Sequence, residues 1–137
     1  MTSRLNPYLS FNGNAREAME FYRSVFGGDL TVSTFGEFGQ PDPSVADRVM
    51  HAQLITDAGY ALMGADIMPG MEYQPGNTFT VSLSGDDGAD LRRYWESLSD
   101  GGAVSVKLEK QVWGDEFGQC VDRFGIPWMV NIALPAA

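Results

Sequence analysis

The chain has 137 residues, 44% hydrophobic and 20% charged, enough apolar content for a packed core and too much for a disordered chain. Nine basic against eighteen acidic residues leave a net charge of −9, which repels a phosphate backbone and excludes nucleic acid as a natural partner. A single cysteine, Cys120, excludes an internal disulfide and a cysteine-rich zinc site, and no apolar run reaches the roughly 18 residues of a membrane span.

In chain order, Met1 to Pro7 lacks the apolar core of a secretory signal, so the expected location is cytoplasmic. Tyr8 to Phe11 reads as a short strand. Asn12-Gly13-Asn14 reads as a turn in which Asn14 caps the following helix. Ala18, Met19, Phe21, Tyr22, Val25 and Phe26 recur at helical spacing, and Gly27-Gly28 stops that helix. Leu30 to Phe35 is rich in β-formers, and Phe38 to Asp47, with its glycine and prolines, is expected to be a loop long enough to act as a lid. Val49 to Thr56 is a strand with Met50, Ala52 and Leu54 on one face and His51 and Gln53 on the other. Asp57-Ala58-Gly59 turns into a returning strand, Tyr60 to Gly64.

The second half follows the same order. Thr78 to Ser84 is expected as a strand, Asp86 or Asp87 as the cap of a helix carrying Leu91, Tyr94, Trp95 and Leu98, and Gly101-Gly102 as its stop. Val104 to Leu108, Phe117 to Val121 and Trp128 to Ala133 complete the set. An offset of 72 aligns Leu9 to Asn14 with Val81 to Asp86, and an offset of 66 aligns Gln53 with Gln119 and Met63 with Met129. The expectation is therefore an α+β chain of two βαβββ modules, about 4–67 and 77–134, joined by a linker over 68–76. About 65 residues with one helix leave a sheet face uncovered, so the two sheets are expected to form a curved cup with helices outside and a ligand site within.

The helix motif Glu20-Phe21-Tyr22 ending at Phe26-Gly27-Gly28, with the closing phrase Asp122-Arg123-Phe124-Gly125-Ile126-Pro127-Trp128, resembles the glyoxalase/bleomycin-resistance/extradiol dioxygenase superfamily, also called vicinal oxygen chelate. Asn6 to Phe11, Phe117-Gly118 and Phe124 to Met129 carry a closer resemblance to its PhnB-like branch. The resemblance implies a homodimer and a divalent metal held on the inner faces of the sheets by His, Gln or Glu. The corresponding slots here fall near Pro7, near Met63, on Phe79 or Thr80, and near Met129, none of which is a His or a carboxylate. Composition leads to the same place, because a two-histidine iron site cannot be built from one histidine. Asp57, Asp66, Asp86, Asp87 and Asp115 supply oxygens, but at turns and helix starts. No protein-held metal and no cofactor are expected.

The candidate ligand-binding residues are His51, Gln53, Met63, Trp113, Asp115, Phe117, Met129 and Asn131. His51 suits a base or ligand donor, or is simply a half-exposed strand residue. Trp113-Gly114-Asp115-Glu116-Phe117 makes an anionic aromatic wall for a cationic or aromatic ligand. Alternatively, Trp113 packs in a dimer interface and Asp115 caps a turn. Met63 and Met129 form an adaptable apolar floor beside Asn131. Cys120, next to Val121, reads as an inert buried thiol.

Two functions follow. One is a metal-free module that binds a small organic ligand, as bleomycin-resistance relatives sequester a cationic drug. The other is a metal-dependent lyase, isomerase or dioxygenase of the same superfamily, with displaced ligands such as His51, Gln53 and Glu37. Some PhnB-like chains carry a methyltransferase-type label, yet no motif for a methyl donor is present.

Overall fold

Apolar residues at helical spacing followed by alternating strands give each half of the chain one buried helix face and one buried sheet face to match it. The computed structural model describes residues 3–68 and 70–134. The chain divides into two units between Pro75 and Gly76. The first contains strand β1 (Tyr8–Phe11), helix α1 (Ala15–Phe26), β2 (Asp29–Thr34), a 3-10 turn over Gly36–Phe38, the short helix α2 (Pro43–Ala46), β3 (Val49–Ile55) and β4 (Ala61–Asp66). The second contains β5 (Val81–Gly85), α3 (Gly88–Ser99), β6 (Ala103–Lys110), β7 (Glu116–Val121) and β8 (Pro127–Ile132). Of the expected linker, Pro69 lies outside the described residues, and 70–80 carry neither helix nor strand.

Each unit is a four-stranded mixed sheet, in the orders β1-β4-β3-β2 and β5-β8-β7-β6. The first and last strands pair in parallel, Tyr8 with Met63 and Ser82 with Met129, and the other pairs are antiparallel. Helix α1 buries Ala15, Ala18, Met19, Tyr22, Val25 and Phe26 against Leu9, Phe11, Val49, Ala52, Leu54 and Leu62. Helix α3 buries Leu91, Tyr94, Trp95 and Leu98 against Leu83, Cys120, Trp128, Val130 and Ile132. The alternation along β4, β7 and β8 leaves one face of each sheet away from its helix.

Several expectations change. Asn14 makes no side-chain cap; the N–H groups of Gly13 and Ala15 are received instead by Asp66 Oδ1, at 2.9 and 3.0 Å, from the end of β4. Asp87 likewise precedes α3 without a side-chain cap. The Phe38 to Asp47 loop contains α2, started by Asp42 accepting from Ser44 N and fastened by the buried Val45. Met50 does not share a face with Ala52 and Leu54. The register skips it, pairing Ser33 with His51 and Thr34 with Val49, and this bulge turns Val49 into the core. The strand expected from Thr78 begins only at Val81, and Phe79 stands 85% exposed ahead of it.

The repeat is real, but its first offset is 74 rather than 72. Ile67 N donates to Phe11 O, as Ala133 N donates to Gly85 O. Gly28 and Gly102, both also 74 apart, follow the two helices and lie so close to the Ile55 and Val121 carbonyls that a Cβ would overlap them. The offset of 66 stands: Thr56 and Asp122 are buried and hold the β3–β4 and β7–β8 turns through the N–H groups of Tyr60 and Ile126. A shift of two residues preserves facing, so the assignment of faces survives it.

Asp66 accepts a third bond from Val49 N at 2.9 Å, and three backbone N–H groups thus converge on one buried carboxylate. Asp66→Ala strands all three and is expected to cost about 3 kcal/mol or more in urea unfolding. Ordinary stability in that variant counts against this organising role.

Candidate functional site

On the helix-free face of the first sheet, the register places Tyr8, Met63, Gln53 and Thr31 in one row across all four strands. His51 lies two residues from Gln53 on the same face, where its Nδ1 is 3.1 Å from the Tyr8 hydroxyl, with the ring centroids 5.7 Å apart. Three sequence candidates, His51, Gln53 and Met63, therefore share one surface, and Tyr8 joins them although sequence reasoning had passed over it. The parallel β1–β4 pairing brings it in, and that pairing has no local signature.

The second sheet offers the equivalent row Ser82, Met129, Gln119 and Val106, and beside it Ser84, Asn131, Phe117 and Glu109. Gln119 is the repeat partner of Gln53 and the second residue that sequence reasoning left out, although the 66-residue offset pointed to it. Trp113 stands on the β6–β7 hairpin, 57% exposed, with its ring edge-on to Phe117 at a centroid distance of 5.7 Å. The hairpin is closed by Gln111 N donating to Asp115 O at 2.8 Å, and Gln111 Nε2 donates to Glu109 O at 3.1 Å. Asp115 Oδ2 accepts from Asn131 Nδ2 at 3.0 Å, and its Oδ1 accepts from Leu134 N at 3.4 Å. Trp113, Asp115, Phe117 and Asn131 thus form one corner of the second unit, with Met129 two residues from Asn131 on the same face of β8.

These residues do not fit a catalytic divalent metal. Met63 and Met129 present thioethers at two of the slots, and Phe79 and Thr80 lie ahead of β5. The Asp66 carboxylate is occupied by three backbone N–H groups, and that of Asp115 by Asn131 and Leu134. Glu37 sits in the 3-10 turn. Among the described residues no three His, Cys, Asp or Glu side chains converge. Hard divalent ions need several convergent oxygens or imidazoles.

A family model described as 3-demethylubiquinone-9 3-methyltransferase matches residues 3–131. The chain belongs to this family. A crystal structure of protein PA1353 from Pseudomonas aeruginosa is 37% identical, covering 96% of this chain and 98% of that one, with a TM-score of 0.86. A PhnB protein from Bacillus cereus, described as a putative 3-demethylubiquinone-9 3-methyltransferase, is 22% identical, covering 96% and 100%, with a TM-score of 0.74. Protein YjdN of Escherichia coli is 28% identical, covering 93% of this chain and 94% of its own length. The fold is that of the glyoxalase/bleomycin-resistance proteins, and the chain is a PhnB-like member. The family's description names a methyl transfer; the glycines that follow the two helices, Gly28 and Gly102, pack against the Ile55 and Val121 carbonyls. No helix among the described residues is long and apolar enough to cross a membrane.

Cys120 lies on the helix side of β7, only 2% exposed. Burial, and secondarily the Asp122 carboxylate, push its thiol up to about 11. The folded chain therefore holds the proton to higher pH than the unfolded chain, whose thiol ionises near 8.5. The stabilisation is complete below about pH 8.5 and disappears as pH rises towards about 11. Chemical unfolding from pH 8 to 11 should show a steeper loss for the native chain than for Cys120→Ala, and iodoacetamide should label Cys120 only after unfolding. Rapid labelling of the folded protein at pH 8 contradicts this assignment.

Proposed function

We propose that this PhnB-like protein binds a small organic ligand, cationic or aromatic, on the helix-free sheet faces without a protein-held metal. The observation that carries this reading is the Trp113–Phe117 ring pair set beside the Asp115–Asn131 hydrogen bond. An aromatic face next to a carboxylate attracts a cation, on the order of 0.5–2 kcal/mol per cation–π contact. Beside that corner Met129 contributes adaptable apolar surface and Asn131 a hydrogen-bonding group, and on the first unit's own face Met63, His51 and Gln53 offer the same chemistry. The net charge of −9 favours cations over anions at longer range. The donor chemistry at the family's metal slots supports the metal-free part of the reading, and it disfavours a lyase, isomerase or dioxygenase that depends on a metal. The protein is further read as a cytoplasmic homodimer, supported by its single unpaired cysteine and by the exposed edge strand β6, which calls for a covering partner.

Trp95 and Trp128 are buried and Trp113 is not, so a change in intrinsic fluorescence reports chiefly on Trp113. Titration with a panel of aromatic cations, neutral aromatics and aromatic anions should quench or shift the emission with the cations ahead. Trp113→Phe should weaken that binding roughly threefold to thirtyfold, and Asp115→Asn should weaken cations but not neutral aromatics. No response from any class in a well-folded sample counts against the reading. Stoichiometric zinc, nickel, iron or manganese in protein purified without chelator returns the metal-dependent enzyme to first place.

A further inference from the structure

Asp115 lies between Trp113 and Phe117 in the chain, and its Oδ2 accepts from the amide of Asn131, which stands directly opposite Phe117 in the β7–β8 pairing. An ionised carboxylate offers about four lone-pair sites. Asn131 Nδ2 takes one on Oδ2 and Leu134 N one on Oδ1, so a site on each oxygen stays open. That is too little for a hard metal ion, and it suits a fork of two parallel N–H donors. The carboxylate can only accept, so the amide nitrogen of Asn131 faces it and Asn131 Oδ1 is turned the other way. Asn131 is half-buried, and no side-chain oxygen among the described residues is buried without a partner, so Oδ1 is open as a further acceptor. Glu116, next in the chain, is already paired with Arg92 at 2.6 Å and lies opposite Lys110 in the β6–β7 ladder. Among the described residues no ion pair is made to Asp115, and Glu109, opposite Phe117, adds a second acid to the same side. Gln111 Nε2 braces the hairpin by donating to Glu109 O and Phe117 O at 3.1 and 3.4 Å, so a ligand has little left to order. The Trp113 and Phe117 rings stand at 65° and do not stack on each other, which leaves ring face free for a flat group.

We propose that this corner of the second unit selects planar, fork-donating cations, namely small aryl amidiniums and aryl guanidiniums, over ammonium and quaternary ammonium cations of similar size. One N–H goes to each oxygen of Asp115, and the delocalised cation lies against an aromatic ring. A further N–H is received by Asn131 Oδ1. A quaternary ammonium keeps the cation–π attraction but has no N–H for any of these acceptors. Asp115 is the contacting acid, and Asn131 is also a positioning residue, because its amide fixes the plane of the carboxylate. The selectivity rests on the ligand binding proposed above for Trp113 and its neighbours, and it names the class of cation that this binding favours.

The probes are benzamidinium, benzylammonium and phenyltrimethylammonium, each titrated calorimetrically against the full chain in the same buffer. Benzamidinium is expected to bind roughly tenfold tighter than phenyltrimethylammonium, with benzylammonium, a donor without the planar fork, between them. Asp115→Asn should bring the three within about twofold of one another. Asn131→Ala should cut the benzamidinium preference to about threefold or less and leave phenyltrimethylammonium binding nearly unchanged, whereas a merely structural loss weakens all three alike. Equal affinities of the three cations for the unmodified protein overturn the selectivity and leave the binding reading in place. A benzamidinium preference that survives Asp115→Asn overturns it as well. If none of the three binds, the selectivity and the binding reading fall together.

Discussion

In the first unit the Asp66 carboxylate, at the end of β4, receives the N–H groups of Gly13 and Ala15 at the start of α1 and of Val49 at the start of β3. One buried side chain thus fastens a helix, its own strand and a neighbouring strand. In the second unit Asp122 has a comparable position: it accepts from Phe124 N, Ile126 N and Trp128 Nε1, and so joins the β7–β8 turn to the largest core side chain. A buried carboxylate is tolerable only when its oxygens are filled; backbone N–H groups fill those of Asp66, and two backbone N–H groups with the Trp128 indole fill those of Asp122. That condition makes each sheet's register narrow, because a slip would leave both the acid and its donors without partners.

The functional surface depends on that register. Because β1 pairs in parallel with β4, Tyr8 stands beside Met63, and because β3 pairs with β4, Gln53 stands on Met63's other side. The second unit builds the same Met–Gln neighbourhood at Met129 and Gln119. The duplicated scaffold has therefore kept its rows while the residues around them have diverged. Around the first row lie a phenol and an imidazole; around the second lie an indole, a phenyl ring and a hydrogen-bonded carboxylate. The soft sulfur atoms at the centre of both rows are poor partners for hard divalent ions.

Much of this was legible in the sequence wherever the signal was local. The helices over Ala15–Phe26 and Gly88–Ser99 follow from apolar spacing and from the glycines that stop them. The grouping of Trp113, Asp115 and Phe117 follows from their closeness in the chain. What was not legible came from contacts between distant segments. Asn14 looked like a cap because its residue type suits the position, but Asp66, about fifty residues away, has the geometry. Met50 looked like core because strict alternation puts it there, but a bulge opposite Thr34 moves it out of step. Thr78 to Thr80 look like strand because they are β-formers, yet the parallel partner strand β8 begins its pairing only at Val81.

The sequence alone determined the doubling of the chain, the alternation of buried and outward-facing residues, the acidic charge and the absence of histidine or carboxylate at the resembled metal positions, because these are properties of composition and local period. The tertiary structure decided which outward-facing residues become neighbours. Tyr8 meets His51, and Asp115 meets Asn131, through pairings that close long loops. Such pairings are selected by the fit of whole sheets against their helices, and no short stretch of residues carries that information.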